Sequence, residues 1–227
     1  MFPKPVIEKY GKVYVVRDDL IPGGTKRRVI DCLLTGADEF VYASPAYGYA
    51  QVALAFACRD LGLQATIFTA KRNTLHARTL EARAAGAKIV LVPHGYLSHV
   101  QSKAKAYAET TGAKLLPFGF KTPAFEAGFA EIASALDFQP KEVWTVSGSA
   151  TLTNALQAAW SDAQFYAVQV GAKSDCGRAN VLIAPEKFEN DAKLKPPFPS
   201  CSNYDAKAWQ FIQQRASEGA LFWNVAA

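Results

Sequence analysis

The sequence predicts an α/β protein in which two open parallel-sheet layers pack together, with a ligand at the strand carboxyl ends between them. Three observations carry this expectation. Short β-like runs alternate with helical patterns along most of the chain. Two glycine-containing loops, at Gly23-Gly24 and around Gly148, each lie downstream of a β-like run. Half of the 227 residues are hydrophobic, enough to bury a sizeable core, yet no apolar run approaches the length needed to span a bilayer.

Taken in order, Val13 to Val16 reads as a strand, and Lys26 to Leu34 as a helix after the glycine turn. Phe40 to Ala43 is a second strand, ended by Ser44-Pro45, and a long apolar helix follows from about Tyr49 to Leu61, closed by Gly62. Ala65 to Thr69 is β-like, and Asn73 can cap the next helix, which ends near Ala85-Gly86. Lys88 to Pro93 is a strand, Ser98 to Thr111 a helix before Gly112, Lys114 to Pro117 a short strand, and Pro123 to Leu136 a helix. Val143 to Val146 leads into Ser147-Gly148-Ser149-Ala150-Thr151 and a further helical pattern. Phe165 to Val170 and Asn180 to Ile183 are strands, and a proline-rich stretch, 193–199, precedes a last helix over Tyr204 to Ser217 and an apolar tail containing Phe222-Trp223. There is no internal repeat and no low-complexity tract.

Composition narrows the function classes. The formal charge of +5 is spread rather than blocked, which reads as a basic solvated surface, or as affinity for an anionic macromolecule. Four cysteines (Cys32, Cys58, Cys176, Cys201) lie far apart without a Cys-x-x-Cys pair, which argues against a zinc site and a disulfide framework. Cys32 and Cys58 sit in apolar helical patterns and are expected to be buried. The three histidines (His76, His94, His99) have no metal-motif spacing, so no metal is expected. The N-terminus, Met1-Phe2-Pro3-Lys4-Pro5, has no signal-peptide core, and a cytoplasmic protein is the expectation.

Two segments carry chemistry. Arg17-Asp18-Asp19-Leu20, then Gly23-Gly24-Thr25-Lys26-Arg27-Arg28, places an amine directly after a glycine turn. Such an amine reacts with an aldehyde when burial or nearby cations keep it neutral, and Arg27 and Arg28 can supply positive potential to it, to a phosphate or to a carboxylate. The plain alternative is a basic surface turn. Ser147 to Thr151 is a strand-to-helix loop of small and hydroxyl residues, suited to bringing backbone N–H groups against a phosphate. An ordinary βα turn with a serine cap is the alternative there. Asp18, Asp19 and Glu126 are charged candidates that more often act as helix caps or ion-pair partners.

Both segments carry a resemblance. The lysine segment resembles that of D-cysteine desulfhydrase and 1-aminocyclopropane-1-carboxylate deaminase, in the tryptophan synthase β-like group of fold-type II enzymes dependent on pyridoxal 5'-phosphate (PLP). Ser147-Gly148-Ser149-Ala150-Thr151 is similar to the group's phosphate loop, with one glycine where relatives have several. The resemblance runs from about Val13 to the C-terminus. It implies PLP held as an imine by Lys26, with its phosphate on Ser147, Gly148, Ser149, Ala150 and Thr151. It also implies a larger PLP-binding domain (1–43 and 119–227), a smaller mobile domain (44–118), and a homodimer to which the Phe222-Trp223 tail can contribute.

There are two departures from the group. Tyr47-Gly48-Tyr49-Ala50-Gln51 aligns with the loop that contacts the cofactor ring oxygen and substrate carboxylate, and Tyr49 stands in place of its asparagine. Tyr49 is thus a candidate for cofactor contact and for acid–base work. The C-terminal strand leads to where a residue should face the pyridine nitrogen, and Asn224 is the nearest candidate, with Ser200, Cys201 and Ser202 as alternatives. The resemblance makes this a C-terminally shortened form, with less covering its site.

The resemblance therefore implies a PLP-dependent lyase acting at the α-carbon of an amino-acid substrate by decarboxylation, elimination or deamination. One form acts on a free small amino acid, as a deaminase or desulfhydrase. Another acts on an amino acid already joined to a larger molecule, such as a modified DNA pyrimidine in a phage hypermodification pathway, as the basic charge and open site would suit. A third possibility is a non-catalytic homologue of the same fold.

Overall fold

The computed structural model describes residues 3–93 and 95–227. Met1, Phe2 and His94, which entered the leader and metal readings, lie outside the described residues. Ten strands and six α-helices run in the order β1 (Ile7–Tyr10), β2 (Val13–Arg17), β3 (Glu39–Ala43), α1 (Ala50–Leu61), β4 (Gln64–Ala70), α2 (Ala77–Ala84), β5 (Lys88–Val92), α3 (Leu97–Thr111), β6 (Lys114–Leu115), α4 (Pro123–Ser134), β7 (Glu142–Ser147), α5 (Thr151–Ala159), β8 (Gln164–Gln169), β9 (Asn180–Ile183), α6 (Trp209–Arg215) and β10 (Ala220–Asn224).

The strands form two sheets. One has the order β1-β2-β10-β7-β8-β9, the other β5-β4-β3-β6. Every pairing is parallel except β1 with β2. β3, just before the expected domain boundary at residue 44, belongs to the four-stranded sheet.

Period-two alternation explains how the six-stranded sheet is covered on both sides. Val13, Val15, Trp144, Val146 and Phe222 pack to one face with Ile212 of α6, while Val16, Val143, Leu221 and Trp223 pack to the other with Leu156 of α5. Burying each such side chain contributes roughly 1.5–3 kcal/mol. Phe222 and Trp223 are fully buried in β10, so the expectation of an exposed aromatic tail available to a dimer interface is corrected: these residues fill the sheet core.

In the four-stranded layer, α1 lies against β4 and α2, and α3 covers the other side with Val100 and Ala104. α1 ends where expected: Gly62 adopts φ +69°, and Leu63 N–H reaches back to the Cys58 carbonyl at 2.8 Å.

Several local expectations change. The helix expected over 26–34 is two 3-10 turns, Thr25–Arg28 and Ile30–Leu33, so helical periodicity does not govern its side chains and Cys32 is exposed, whereas Cys58 is buried. The α2 cap is His76, whose Nδ1 accepts the Arg78 N–H at 3.2 Å, not Asn73. The last helix opens as a 3-10 turn, Asp205–Ala208, and becomes α-helical only at Trp209. Among the described residues, no helix is long and apolar enough to cross a membrane, and no group of His, Cys, Asp and Glu assembles a metal site.

Candidate active site

The Gly23-Gly24 turn is held where a side chain would not fit. Gly24 has φ +68°, and a Cβ there would lie 2.4 Å from the Val225 carbonyl oxygen, while one on Gly23 would meet the Ala53 Cα of α1 at 3.0 Å. Glycine lets the chain pass between helix and C-terminal strand, and Thr25 N–H then donates to that Val225 carbonyl at 2.9 Å. The following 3-10 turn presents Lys26 to a cavity of about 270 Å³ between the two sheet layers.

Lys26 Nζ donates to the Gly119 carbonyl at 3.0 Å and lies 5.8 Å and 5.6 Å from the ring centres of Phe120 and Phe125. Among the described residues no carboxylate compensates its charge, and burial pushes the amine down to about 8. Arg27 and Arg28, expected to lend positive potential here, face elsewhere. Arg27 bonds Asp31 at 2.6 Å and Asp60 at 3.1 Å; Arg28 bonds Asp18 at 2.7 Å and the Pro3 carbonyl at 2.6 Å. Desolvation, not neighbouring cations, lowers the lysine.

Asp18 is fully buried beneath this turn and also accepts from Thr25 Oγ1 at 2.8 Å and Trp223 Nε1 at 2.9 Å. Asp19 pairs with Arg17 and accepts from Asn224. Glu126, in the first turn of α4, keeps one buried oxygen without a hydrogen bond among the described residues.

Near Lys26, β7 runs through Gly148, Ser149 and Ala150 into α5. The first helical bond is Asn154 N–H to the Ala150 carbonyl, so the amides of the first turn have no acceptor within the helix. Gly148, Ser149, Ala150 and Thr151 line the cavity; Ser147 does not. The Ser147 hydroxyl is buried against Ser174 Oγ, 2.9 Å away, and the Cys176 thiol. Ala150 is one of two non-glycine residues at positive φ, at +60°; the other is Phe120, at +59°, beside the Lys26 partner Gly119.

Tyr49 lines the cavity at the N-terminus of α1, its ring covered by the Arg78 guanidinium at 4.6 Å. Burial raises its phenol far above the usual range. Asn224 does not reach the cavity: its amide donates to Asp19 at 2.7 Å and to the Pro199 carbonyl at 2.9 Å, and its oxygen accepts from Ser200 at 2.8 Å. Ser202 is turned outward to Asp191, whereas Cys201 lines the cavity.

The residue that sequence reasoning missed is Asp205. It is fully buried, lines the cavity, and neither carboxyl oxygen has a hydrogen bond among the described residues. The Val225 and Ala226 amides face it without closing to hydrogen-bond geometry, and burial raises its pKa well above the ordinary carboxylate value. An orphaned buried carboxyl is expensive unless something in the cavity meets it.

No family model matches the chain, and no curated protein does. Solved structures do. An ACC deaminase homologue superposes with a TM-score of 0.79 at 16% identity, covering 98% of this chain and 89% of its own. Threonine deaminase isoform 2 from Solanum lycopersicum gives 0.73 at 14% identity, with 98% and 83% covered. An O-ureido-L-serine synthase gives 0.69 at 16% identity, with 98% and 88% covered. Two parallel sheet layers flanking one cavity, superposing over nearly the whole chain, give this protein the fold of the fold-type II PLP-dependent enzymes.

Proposed function

We propose that the chain is a PLP-dependent lyase acting at the α-carbon of an amino-acid substrate. The observation that carries this reading is Lys26: an amine brought down to about 8 by burial, facing a cavity that the α5 N-terminus also lines. The cavity's polar groups fit the cofactor. The first-turn amides of α5, which have no acceptor within the helix, suit a phosphate, and the orphaned Asp205 carboxyl suits a pyridine nitrogen.

When bound, PLP supplies an electron sink for the bond broken at the α-carbon. The chain's own residues do the rest. Lys26 would hold the cofactor, and its amine would carry the α-proton. Ser149, Ala150 and Thr151 would anchor the phosphate. Asp205 would take the ring nitrogen, the role sought for Asn224, whose polar atoms are engaged elsewhere. Tyr49 orients the ring oxygen or the substrate carboxylate, with Arg78 fixing its ring. Tyr47 and Phe188, with ring centres 5.8 Å apart, wall off water. We further propose that the four-stranded layer, roughly 44–118 with β3 attached, is the smaller mobile unit, and that the protein is a homodimer.

A free small amino acid is the first substrate class. The second reading, an amino acid carried on a larger molecule such as a modified DNA pyrimidine, draws on an adjoining cavity lined by Ser98, Gln101, Ser102 and Lys105. Phe118 borders both cavities. Binding of such DNA is expected to weaken steeply with salt; salt-insensitive turnover of free D-cysteine or a cyclopropane amino acid would point to the first class.

The test of the class is the absorption spectrum with added PLP, for the wild type and Lys26→Ala, followed by borohydride reduction and peptide mass analysis. A yellow species lost in Lys26→Ala, with the pyridoxyl mass on Lys26, is expected. A folded protein with neither is a non-catalytic homologue.

A further inference from the structure

We infer that Tyr42 is a ligand of the phosphate received by the Gly148–Thr151 loop, contributed across the cavity by the other sheet layer. The inference rests on reading the cavity as a PLP site. Tyr42 stands on β3, is 2% exposed, and lines the cavity with its ring 4.9 Å from that of Phe120. Its oxygen accepts the Gly119 N–H at 3.3 Å, but its own O–H has no acceptor among the described residues. Burial pushes the phenol up to about 12, so it keeps that proton at neutral pH and is a donor. A buried donor left unmade is costly, and the open volume beside it is the cavity. Ring packing alone would be met equally by phenylalanine.

Gly119 indicates which acceptor belongs there. It adopts φ +68°, and a Cβ on it would lie 2.5 Å from Ser149 Oγ, so the backbone is pressed against the phosphate loop. Its carbonyl accepts from Lys26 Nζ at 3.0 Å and from Thr151 Oγ1 at 3.4 Å. The Tyr42 hydroxyl and the Ser149 and Thr151 hydroxyls are thus gathered around one glycine at the α5 N-terminus, with the Lys26 amine beside them for the aldehyde. That concentration of donors suits a phosphate monoester better than a neutral ring or an ammonium group.

PLP and pyridoxal share the aldehyde and ring and differ by the phosphate, so the pair isolates the contact. Wild type and Tyr42→Phe are titrated with each by quenching of tryptophan fluorescence. Tyr42→Phe is expected to weaken PLP about tenfold or more and to leave pyridoxal unchanged. Equal PLP affinities overturn the inference. A matched loss for both compounds also overturns it, because that reports a disturbed Gly119 turn, whose N–H loses its acceptor in the variant. Inorganic phosphate supplies an arm independent of PLP: it is expected to raise the melting temperature of the wild type more than that of Tyr42→Phe, and equal shifts count against Tyr42. Phosphate stabilisation through Tyr42 without binding of either pyridoxal compound would sink the PLP proposal alone. PLP capture indifferent to Tyr42→Phe would sink this inference alone.

Discussion

Trp223 Nε1 donates to Asp18 Oδ2 at 2.9 Å, tying the last strand to the residue beneath the lysine turn, 205 positions earlier in the chain. Asp18 also takes Thr25 Oγ1 and the Arg28 guanidinium, and it is fully buried. One carboxylate therefore fixes the residues on both sides of Lys26 relative to the central sheet. Asp18→Ala leaves Arg28 buried without that partner and is expected to cost about 3–5 kcal/mol of stability. Thr25→Ala removes the hydroxyl's bond to Asp18 and the one it accepts from Trp223 Nε1 at 3.1 Å, but it leaves the indole its Asp18 partner and is expected to cost about 1–2 kcal/mol. Denaturant unfolding of the two variants checks the ranking; equal costs would mean that Asp18 is not the anchor.

The low pKa of Lys26 is also a statement about stability. Its folded value is about 8 against an ordinary 10.5, so between those values the unfolded chain binds the extra proton and stability rises with pH. Well below about 8 the full penalty is present, on the order of 3 kcal/mol. Lys26→Met is therefore expected to melt higher than the wild type at pH 7 and to lose the upward slope between pH 8 and 10. PLP capture by the wild type is expected to rise through about pH 8, as the amine becomes neutral. Thermal melts and capture rates across that range test both; a capture profile that is flat through pH 8 would contradict the burial argument.

Asp205 runs with the opposite sign. Burial raises its pKa, so the folded state holds a proton that the unfolded state has lost, and stability falls as pH climbs from 3.8 toward the folded value. Asp205→Asn removes the penalty and is expected to raise the cofactor-free melting temperature near neutral pH, by roughly 2–4 °C for each kcal/mol relieved. The same change is expected to shift the absorption of bound PLP, because the ring nitrogen loses an ionisable partner. A variant that gains no stability and leaves the spectrum unchanged would remove Asp205 from the site.

These two groups differ in how far the sequence discloses them. Lys26 and the loop Gly148 to Thr151 sit in short contiguous segments whose residue types state their chemistry, and both reach the cavity. Asp205 sits in an unremarkable stretch, and its environment is made by Val225, Ala226, Asp19 and Arg78 from elsewhere in the chain, so no local pattern announces it. Arg27 and Arg28 mislead for a related reason: adjacency to Lys26 in sequence sets no common direction on a 3-10 turn, and both arginines leave the site for carboxylates. β1 is unreadable because Ile-Glu-Lys-Tyr is a short edge strand whose pairing with β2 is set by a tight turn rather than by an apolar run.

Ala150 tests whether the Gly148–Thr151 loop is strained by having only one glycine. At φ +60° an alanine costs about 1–2 kcal/mol relative to a residue free to turn left-handed. Glycine would relieve that cost but give back roughly 0.5–1 kcal/mol in chain entropy. It would also lose a methyl buried against Ala167 and Cys176, roughly 0.8 kcal/mol. The terms nearly cancel, so Ala150→Gly is expected to lie within about 1 kcal/mol of the wild type and to keep its phosphate affinity. Ala150→Val adds a branched Cβ at the same φ and is expected to lose 2 kcal/mol or more, by the rule that β-branched residues are outliers there. Chemical denaturation with and without inorganic phosphate separates the outcomes. If glycine proves as damaging as valine, the alanine methyl supports the loop by packing, and backbone strain is not what shapes it.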